Sequence, residues 1–417
     1  MSKDHMNVEK FRSFFPIFKQ MIHGNPLRYF DSAATAQVPQ VVIDAMIDYY
    51  TSYKANVGRG IYYISEKATQ AYEDSRTKVA RYLGTQSDQI VFTSGATHSI
   101  NLVMQSWAMA HVKKGDEVLV SSIEHYSNFL PWFQLAEQTG CTIRIVPVTE
   151  CGIVDSDILK TMVSPNTKLI AITHTSNSFG STNDVKEIVR IAAQHKAAVL
   201  VDASQSIAHQ KIDVADLGCD FLVFSAHKLF GPTGVGVLYA RSNKASVMRP
   251  VQFGGGMIIQ EHNDKVTYKP YPHGFEAGTP NISGVIGLGA AIDFVEKNID
   301  FKILQDHETS LVLHLLQGLQ KLKNLKIISF KPQKNEHSHM VTFISDTHHA
   351  HDVAAYLDQF GIAVRAGNHC ARDGRAIQCL QGCTCVPIAS VRMSFAGYNT
   401  MAEVNYLLEK LTDLCGC

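Results

Sequence analysis

Between about residue 90 and residue 240 the chain repeats one device, a short apolar, β-rich run followed by a longer stretch of helical character. The runs are 90–93, 117–121, 143–148, 168–173, 198–202, 221–225 and 235–239. Strands that alternate with helices fold into a largely parallel sheet, because each crossover helix must lie on one of its faces and cover it. The expected fold class is therefore α/β, with a large domain on a mostly parallel seven-stranded sheet. After Gly278-Thr279-Pro280-Asn281 the pattern changes to long helices near 284–297 and 303–322. Shorter runs at 326–330, 339–343, 362–365 and 390–394 follow, with helices near 350–359 and 400–413, which reads as a smaller α+β domain. The N-terminal arm, where Val8, Phe11, Phe14 and Phe15 recur at helical spacing until Pro16, completes it. The expected division is 31–284 for the large domain, and 1–30 with 285–417 for the small one.

Composition excludes several classes of partner. Of 417 residues, 38 are Lys or Arg and 38 are Asp or Glu, with no dense basic cluster. Neither nucleic acid nor an anionic membrane surface is expected as a partner. The N-terminus lacks a basic region followed by an apolar stretch, and no run reaches the roughly 18 apolar residues of a membrane span. The expectation is a soluble, cytoplasmic protein. Nine cysteines are an odd number for a disulfide scaffold, so free thiols are expected; six of them lie beyond residue 369.

The chemistry centres on Ser225-Ala226-His227-Lys228-Leu229-Phe230-Gly231-Pro232-Thr233-Gly234. The apolar run before it delivers Lys228 to the end of a strand, where open α/β sheets bind ligands. A partly desolvated lysine there keeps a depressed pKa and condenses with an aldehyde cofactor. Thr93-Ser94-Gly95-Ala96-Thr97-His98 follows the first strand and opens an apolar helix, a place for a phosphate. Asp202 ends another strand, where it reads either as partner to a cationic ring nitrogen or as a helix cap. Gln205 reads as a donor to a phenolate oxygen or as support for a loop. His125, past the end of a further strand, reads as a stacking platform and proton carrier or as a structural imidazole. Each feature alone is commonplace. Together they place a phosphate cradle, an imidazole, a carboxylate and a lysine at strand ends of one sheet, the composition of a pyridoxal phosphate site.

On these stretches, together with Asp31-Ser32-Ala33-Ala34-Thr35, Phe275-Glu276-Ala277-Gly278-Thr279-Pro280-Asn281 and Arg365-Ala366-Gly367-Asn368-His369-Cys370, the chain resembles the Suf-type (group II) cysteine desulfurases and selenocysteine lyases. These are class V aminotransferase-like enzymes of the pyridoxal-phosphate-dependent transferase fold, type I. The resemblance implies that Lys228 holds the aldehyde and abstracts the α-proton, Asp202 pairs with the pyridine nitrogen, Gln205 with the phenolic oxygen, and His125 stacks on the ring. It implies that Ala96, Thr97, Ser225 and His227 hold the phosphate, with Thr279 supplied by the other subunit of a homodimer. Asn177 and Arg392 would grip the carboxylate of substrate L-cysteine, and Arg365 would line the pocket near the sulfur. Cys370 would be the nucleophile that takes the sulfur, leaving L-alanine and a persulfide destined, through a sulfur-acceptor protein, for iron-sulfur cluster assembly. A thiolate is required, so a pKa lowered by Arg365 or His369 is expected.

The sequence departs from the family at Gly58 and Asn368, each where relatives usually carry histidine, and in a longer stretch between Ala371 and Arg392. That stretch holds Cys379, Cys383 and Cys385, which with Cys415 and Cys417 read as thiols for sulfur exchange or as ligands for a thiophilic metal. Four ligands at a standard zinc spacing are lacking, so no metal is assigned. The alternatives are a selenocysteine lyase, a cysteine sulfinate desulfinase, or a non-catalytic thiol or metal-binding protein.

Overall fold

The computed structural model describes residues 6–262, 265–333, 336–371 and 389–415. Seven strands form the central sheet: β1 (Ile90–Thr93), β2 (Glu117–Ser121), β3 (Thr142–Val146), β4 (Thr167–Thr173), β5 (Ala198–Asp202), β6 (Phe221–Ser225) and β7 (Gly236–Ala240). Their order is β1-β7-β6-β5-β4-β2-β3. All neighbours pair in parallel except β7, which runs antiparallel to both β1 and β6. The expected α/β architecture is thus present. The C-terminal ends of β1, β2, β4, β5 and β6 gather at one edge.

Both faces of the sheet are buried, and the two-residue period of a strand divides its side chains between them. Phe92, Leu119, Ile170, Val199, Leu222 and Val237 point into one core. Val91, Val118, Leu169, Ala198, Val223 and Leu238 point into the other. The first core is closed by the helices Tyr63–Tyr82, Val185–Ala193 and Ile282–Asn298, and by Phe11 and Phe15 of the N-terminal arm. The second is closed by the helix that starts at Ala96 and by Leu130–Thr139. Gly236 is needed where β7 enters: a Cβ there would lie 2.4 Å from the Cα of Gly95.

A separate antiparallel sheet orders Leu325–Ile327, Met340–Ser345, Ser390–Ser394 and Arg365–Gly367, with its own apolar core. The run expected as one strand at 362–365 is divided between two sheets. Ile362–Ala363 pairs in parallel with Arg28–Tyr29, whereas Arg365–Gly367 pairs with Ser390–Ser394. The chain changes partner at Val364, between the two pairings. A hairpin of Ile258–His262 and Lys265–Tyr268 is additional to the expected elements; its residues are mostly exposed and polar, so no apolar alternation marks it. Among the described residues no helix is long and apolar enough to cross a membrane.

Candidate active site

A cavity of about 700 Å³ opens at the sheet edge where the strand ends gather. Five strand-to-loop junctions deliver side chains to it: Ala96 and Thr97 after β1, His125 after β2, Asn177 after β4, Asp202 and Gln205 after β5, and Ser225, His227 and Lys228 from the end of β6. The second sheet adds Arg365, Cys370 and Arg392. The structure therefore brings together every sequence-predicted site residue except Thr279. That residue lies in another cavity, of about 580 Å³, with Gly58 and Arg59.

Lys228 follows a buried strand and sits in a tight turn, its Nζ without a hydrogen-bond partner among the described residues. Burial depresses its pKa to about 8; the Asp202 carboxylate opposes the shift, and the Arg392 and Arg365 charges add to it. Asp202 is buried, and its Oδ1 accepts from the Ser204 N–H at 2.9 Å. The side chain supports its loop and lines the cavity; it is not a helix cap, since the short helix Ser206–Ala208 that follows has Gln205 at that position. Gln205 donates through Nε2 to the Ala33 carbonyl at 2.8 Å, which fixes the direction of its amide. The Ala96 N–H donates to Ser225 Oγ at 2.8 Å, tying the helix start after β1 to the lysine turn. Thr97 Oγ1 lies 2.6 Å from Ser127 Oγ.

The imidazoles are held neutral. His125 accepts the Ser127 N–H on Nδ1, and burial followed by the Lys228 charge pushes its pKa down. Burial, helped by Lys228, takes His227 down to about 4, and its Nδ1 is buried without a partner among the described residues.

Cys370 stands on an exposed turn in which both His369 and Cys370 have positive φ, 53° and 52°. Two successive non-glycine residues in the left-handed region are strained, and such strain persists only where the surroundings enforce it. Here Asn177 Nδ2 donates to the His369 carbonyl at 2.9 Å and the Tyr126 N–H to the Cys370 carbonyl at 2.8 Å. Asn368 accepts the Cys370 N–H on Oδ1 at 3.2 Å and so shapes the turn. His369 is buried against Ser390 Oγ at 2.8 Å, and burial takes its pKa to about 3, so it carries no positive charge.

Several polar residues around the site were not singled out by sequence. Asp31 binds the guanidinium groups of both Arg365 and Arg392. Glu124, fully buried beside His125, accepts from Ser121 Oγ, the Thr173 N–H and Asn128 Nδ2. Behind Gln205, Glu308 bonds His209 and His337, and the rings of His209 and His339 stack 3.8 Å apart at 15°. The ring nitrogens of these three histidines lie within 4.8 Å of one another. Lone pairs on stacked rings run side by side and do not converge on one ion. Position in the chain gives no sign of these groupings, since Asp31 and Arg365 are 334 residues apart.

Of the C-terminal thiols, Cys415 is buried at the end of the helix Met401–Cys415, and burial raises its pKa. It is not an accessible thiol for sulfur exchange. Cys379, Cys383, Cys385 and Cys417 lie outside the described residues.

Comparison with known proteins agrees with this geometry. The model of the aminotransferase class-V family matches residues 28–407. A probable cysteine desulfurase of Halalkalibacterium halodurans is 43% identical over 415 residues, 99% of each chain. The apo structure of cysteine desulfurase from Thermococcus onnurineus NA1 superposes with a TM-score of 0.90 at 35% identity, over 100% of both chains. The cysteine desulfurase CsdA (S-sulfonic acid) from Escherichia coli gives a TM-score of 0.88 at 33% identity, over 98% of both chains. The chain belongs to the aminotransferase class-V family.

Proposed function

We infer that the protein is a pyridoxal-phosphate-dependent cysteine desulfurase, which converts L-cysteine to L-alanine and passes the sulfur to an enzyme cysteine. The observation that carries this reading is the pairing, in one cavity, of a half-buried lysine with a depressed pKa and an exposed cysteine on a strained turn. The residues present suit the cofactor. A helix start with hydroxyls beside it, and a buried imidazole nitrogen lacking a partner among the described residues, suit a phosphate; the Asp202 carboxylate in the same cavity suits a ring nitrogen. Bound pyridoxal phosphate supplies an aldehyde and an electron-withdrawing ring, which labilise the substrate's Cα–H and then its Cβ–S bond.

The chain's own groups divide the remaining work. Lys228 Nζ, partly deprotonated near neutral pH, holds the aldehyde and takes the α-proton. Asp202 keeps the ring nitrogen protonated, and Gln205 Nε2 offers its second N–H to the phenolic oxygen. His125, neutral and lying past the end of β2, stacks on the ring. Ala96, Thr97, Ser225 and His227 hold the phosphate. Arg392, oriented by the Asn177 carbonyl at 2.7 Å and by Asp31, takes the substrate carboxylate together with the Asn177 amide. Cys370 Sγ, as thiolate, attacks the substrate sulfur; the Cβ–S bond breaks and a persulfide remains on Cys370.

The division of labour follows the two sheets: the large one, on whose core the N-terminal arm and the helix Ile282–Asn298 pack, carries the cofactor residues, and the chain around the small one brings Arg365, Cys370 and Arg392. A homodimer is part of the reading. It is supported by the position of Thr279 outside the lysine cavity and by the exposed apolar run Ile61-Tyr62-Tyr63, of which Ile61 is 93% exposed. A sulfur-acceptor protein, a cytoplasmic location and delivery to iron-sulfur cluster assembly complete the proposal.

The test is to add L-cysteine to the loaded protein and quantify alanine and sulfide with and without a thiol reductant. Alanine should form, with sulfide released in proportion only when reductant is present, and Cys370→Ala should abolish both. Alanine formation that survives in Cys370→Ala would refute the role of the thiol.

A further inference from the structure

Arg365 and Arg392 sit directly opposite each other across two antiparallel strands. Cross-strand partners on one face bring their Cβ atoms to about 5 Å, and like charges so placed destabilise the pair. Both line the cavity with Lys228 and Cys370, so three cationic side chains face one space. The arrangement holds because Asp31 reaches between the two arginines. Its Oδ2 accepts from Arg365 Nε at 3.0 Å and Nη2 at 2.8 Å, and its Oδ1 from Arg392 Nη2 at 3.2 Å. The carboxylate is placed by backbone: Asp31 forms a bridge with Ser394, and the Ser394 N–H donates to the Phe30 carbonyl. Arg392 is 3% exposed, whereas Arg365, on the strand that leads to Cys370, is 46% exposed.

We propose that Asp31 is a specificity-determining residue, which sets how many negative charges the substrate brings. The proposal rests on the desulfurase reading above. Among the described residues Asp31 is the carboxylate shared by the two guanidinium groups, and the pair held in this way suits a single substrate carboxylate. L-Cysteine, whose side chain is a neutral thiol, meets that condition. An amino acid with an anionic β-substituent, such as L-cysteine sulfinate, brings a second charge toward Arg365, which Asp31 already satisfies. That second anion must displace Asp31 or remain beside it, and either course weakens binding. Without the Asp31 charge, Arg365 becomes a site for the β-anion.

The experiment measures kcat/KM for L-cysteine, with reductant, and for L-cysteine sulfinate by alanine formed, on the same preparation of cofactor-loaded enzyme. The ratio of the two is independent of the fraction of enzyme that folds and binds cofactor. In Asp31→Asn, which keeps the shape and removes the charge, the sulfinate-to-cysteine ratio should rise about tenfold or more at low salt, and the rise should shrink as salt screens the site. In Arg365→Gln, which removes the cation and leaves Asp31, the ratio should fall. A parallel measurement of the dissociation constant for succinate, a dicarboxylate that cannot react, by competition with L-cysteine, should show tighter binding in Asp31→Asn. An unchanged or lowered ratio in Asp31→Asn, or an unchanged or raised ratio in Arg365→Gln, overturns the proposal. Failure of the wild-type enzyme to form alanine from L-cysteine would instead overturn the desulfurase reading.

Discussion

Glu124 offers a test of whether a buried carboxyl next to the site costs stability. Its carboxyl is fully buried, and that burial raises its pKa from 4.5 to about 8, against the three hydrogen bonds it accepts. Between those values the folded chain keeps a proton that the unfolded chain releases. Stability is therefore lost as pH rises from about 4.5 to about 8, and is level above that. At 1.36 kcal/mol per pH unit the loss is roughly 5 kcal/mol. Glu124→Gln removes the titration while keeping an acceptor for the Thr173 N–H and Ser121 Oγ. For a chain of this length the entropy of unfolding is about 0.9 kcal/mol/K, so roughly 5 kcal/mol corresponds to about 5 °C in Tm. Thermal unfolding of wild type and variant at pH 5.5 and at pH 8.5 isolates the effect, because other titrations cancel in the difference. About 2.5 of the 3.5 pH units lie between the two measurements, so the variant should gain about 4 °C on the wild type between the two pH values. A difference in Tm that is the same at both would refute the reasoning, and so would one that moves in the wild type's favour.

Two further outcomes are expected. Lys228, with its pKa depressed to about 8, should make cofactor-free protein take up pyridoxal phosphate faster as pH rises, with a plateau above about 8; a rate that keeps climbing toward pH 10, read from cofactor absorbance, would place the amine in an ordinary lysine environment. Gly236→Ala should weaken cofactor binding and lower Tm, by an overpacking cost of about 1–3 kcal/mol, because its Cβ meets backbone of Gly95 that cannot swing aside; an unaltered cofactor dissociation constant together with an unaltered Tm would show that the loop gives way freely.

The local pattern carried most of the large sheet. The strands at 90–93, 117–121, 198–202 and 221–225 fall where the apolar runs fall, because a strand buried on both faces must be apolar throughout. The direction of β7 was not legible, since a strand reads the same whichever way its neighbours run. The change of partner at Val364 depends on Arg28–Tyr29, more than 330 residues away, and is equally invisible to a local window. The site shows the same division. Lys228, Asp202, His125 and Cys370 announce themselves through strand ends and motif. Asp31 and Glu124 act through neighbours that only the folded chain supplies, and the neutrality of His369 follows from burial that its sequence context does not disclose.

The segment from Arg28 to Ala36 touches both halves of the chemistry. Arg28–Tyr29 zips onto Ile362–Ala363, Asp31 bridges to Ser394, and the Ala36 N–H reaches the carbonyl of His227, the residue before the lysine. One short ribbon thus yokes the chain leading to the Cys370 turn to the turn that carries Lys228. A tug on either end travels through fewer than ten peptide units, so the spacing of thiol and amine across the cavity is tied to a stretch of chain that supplies neither group.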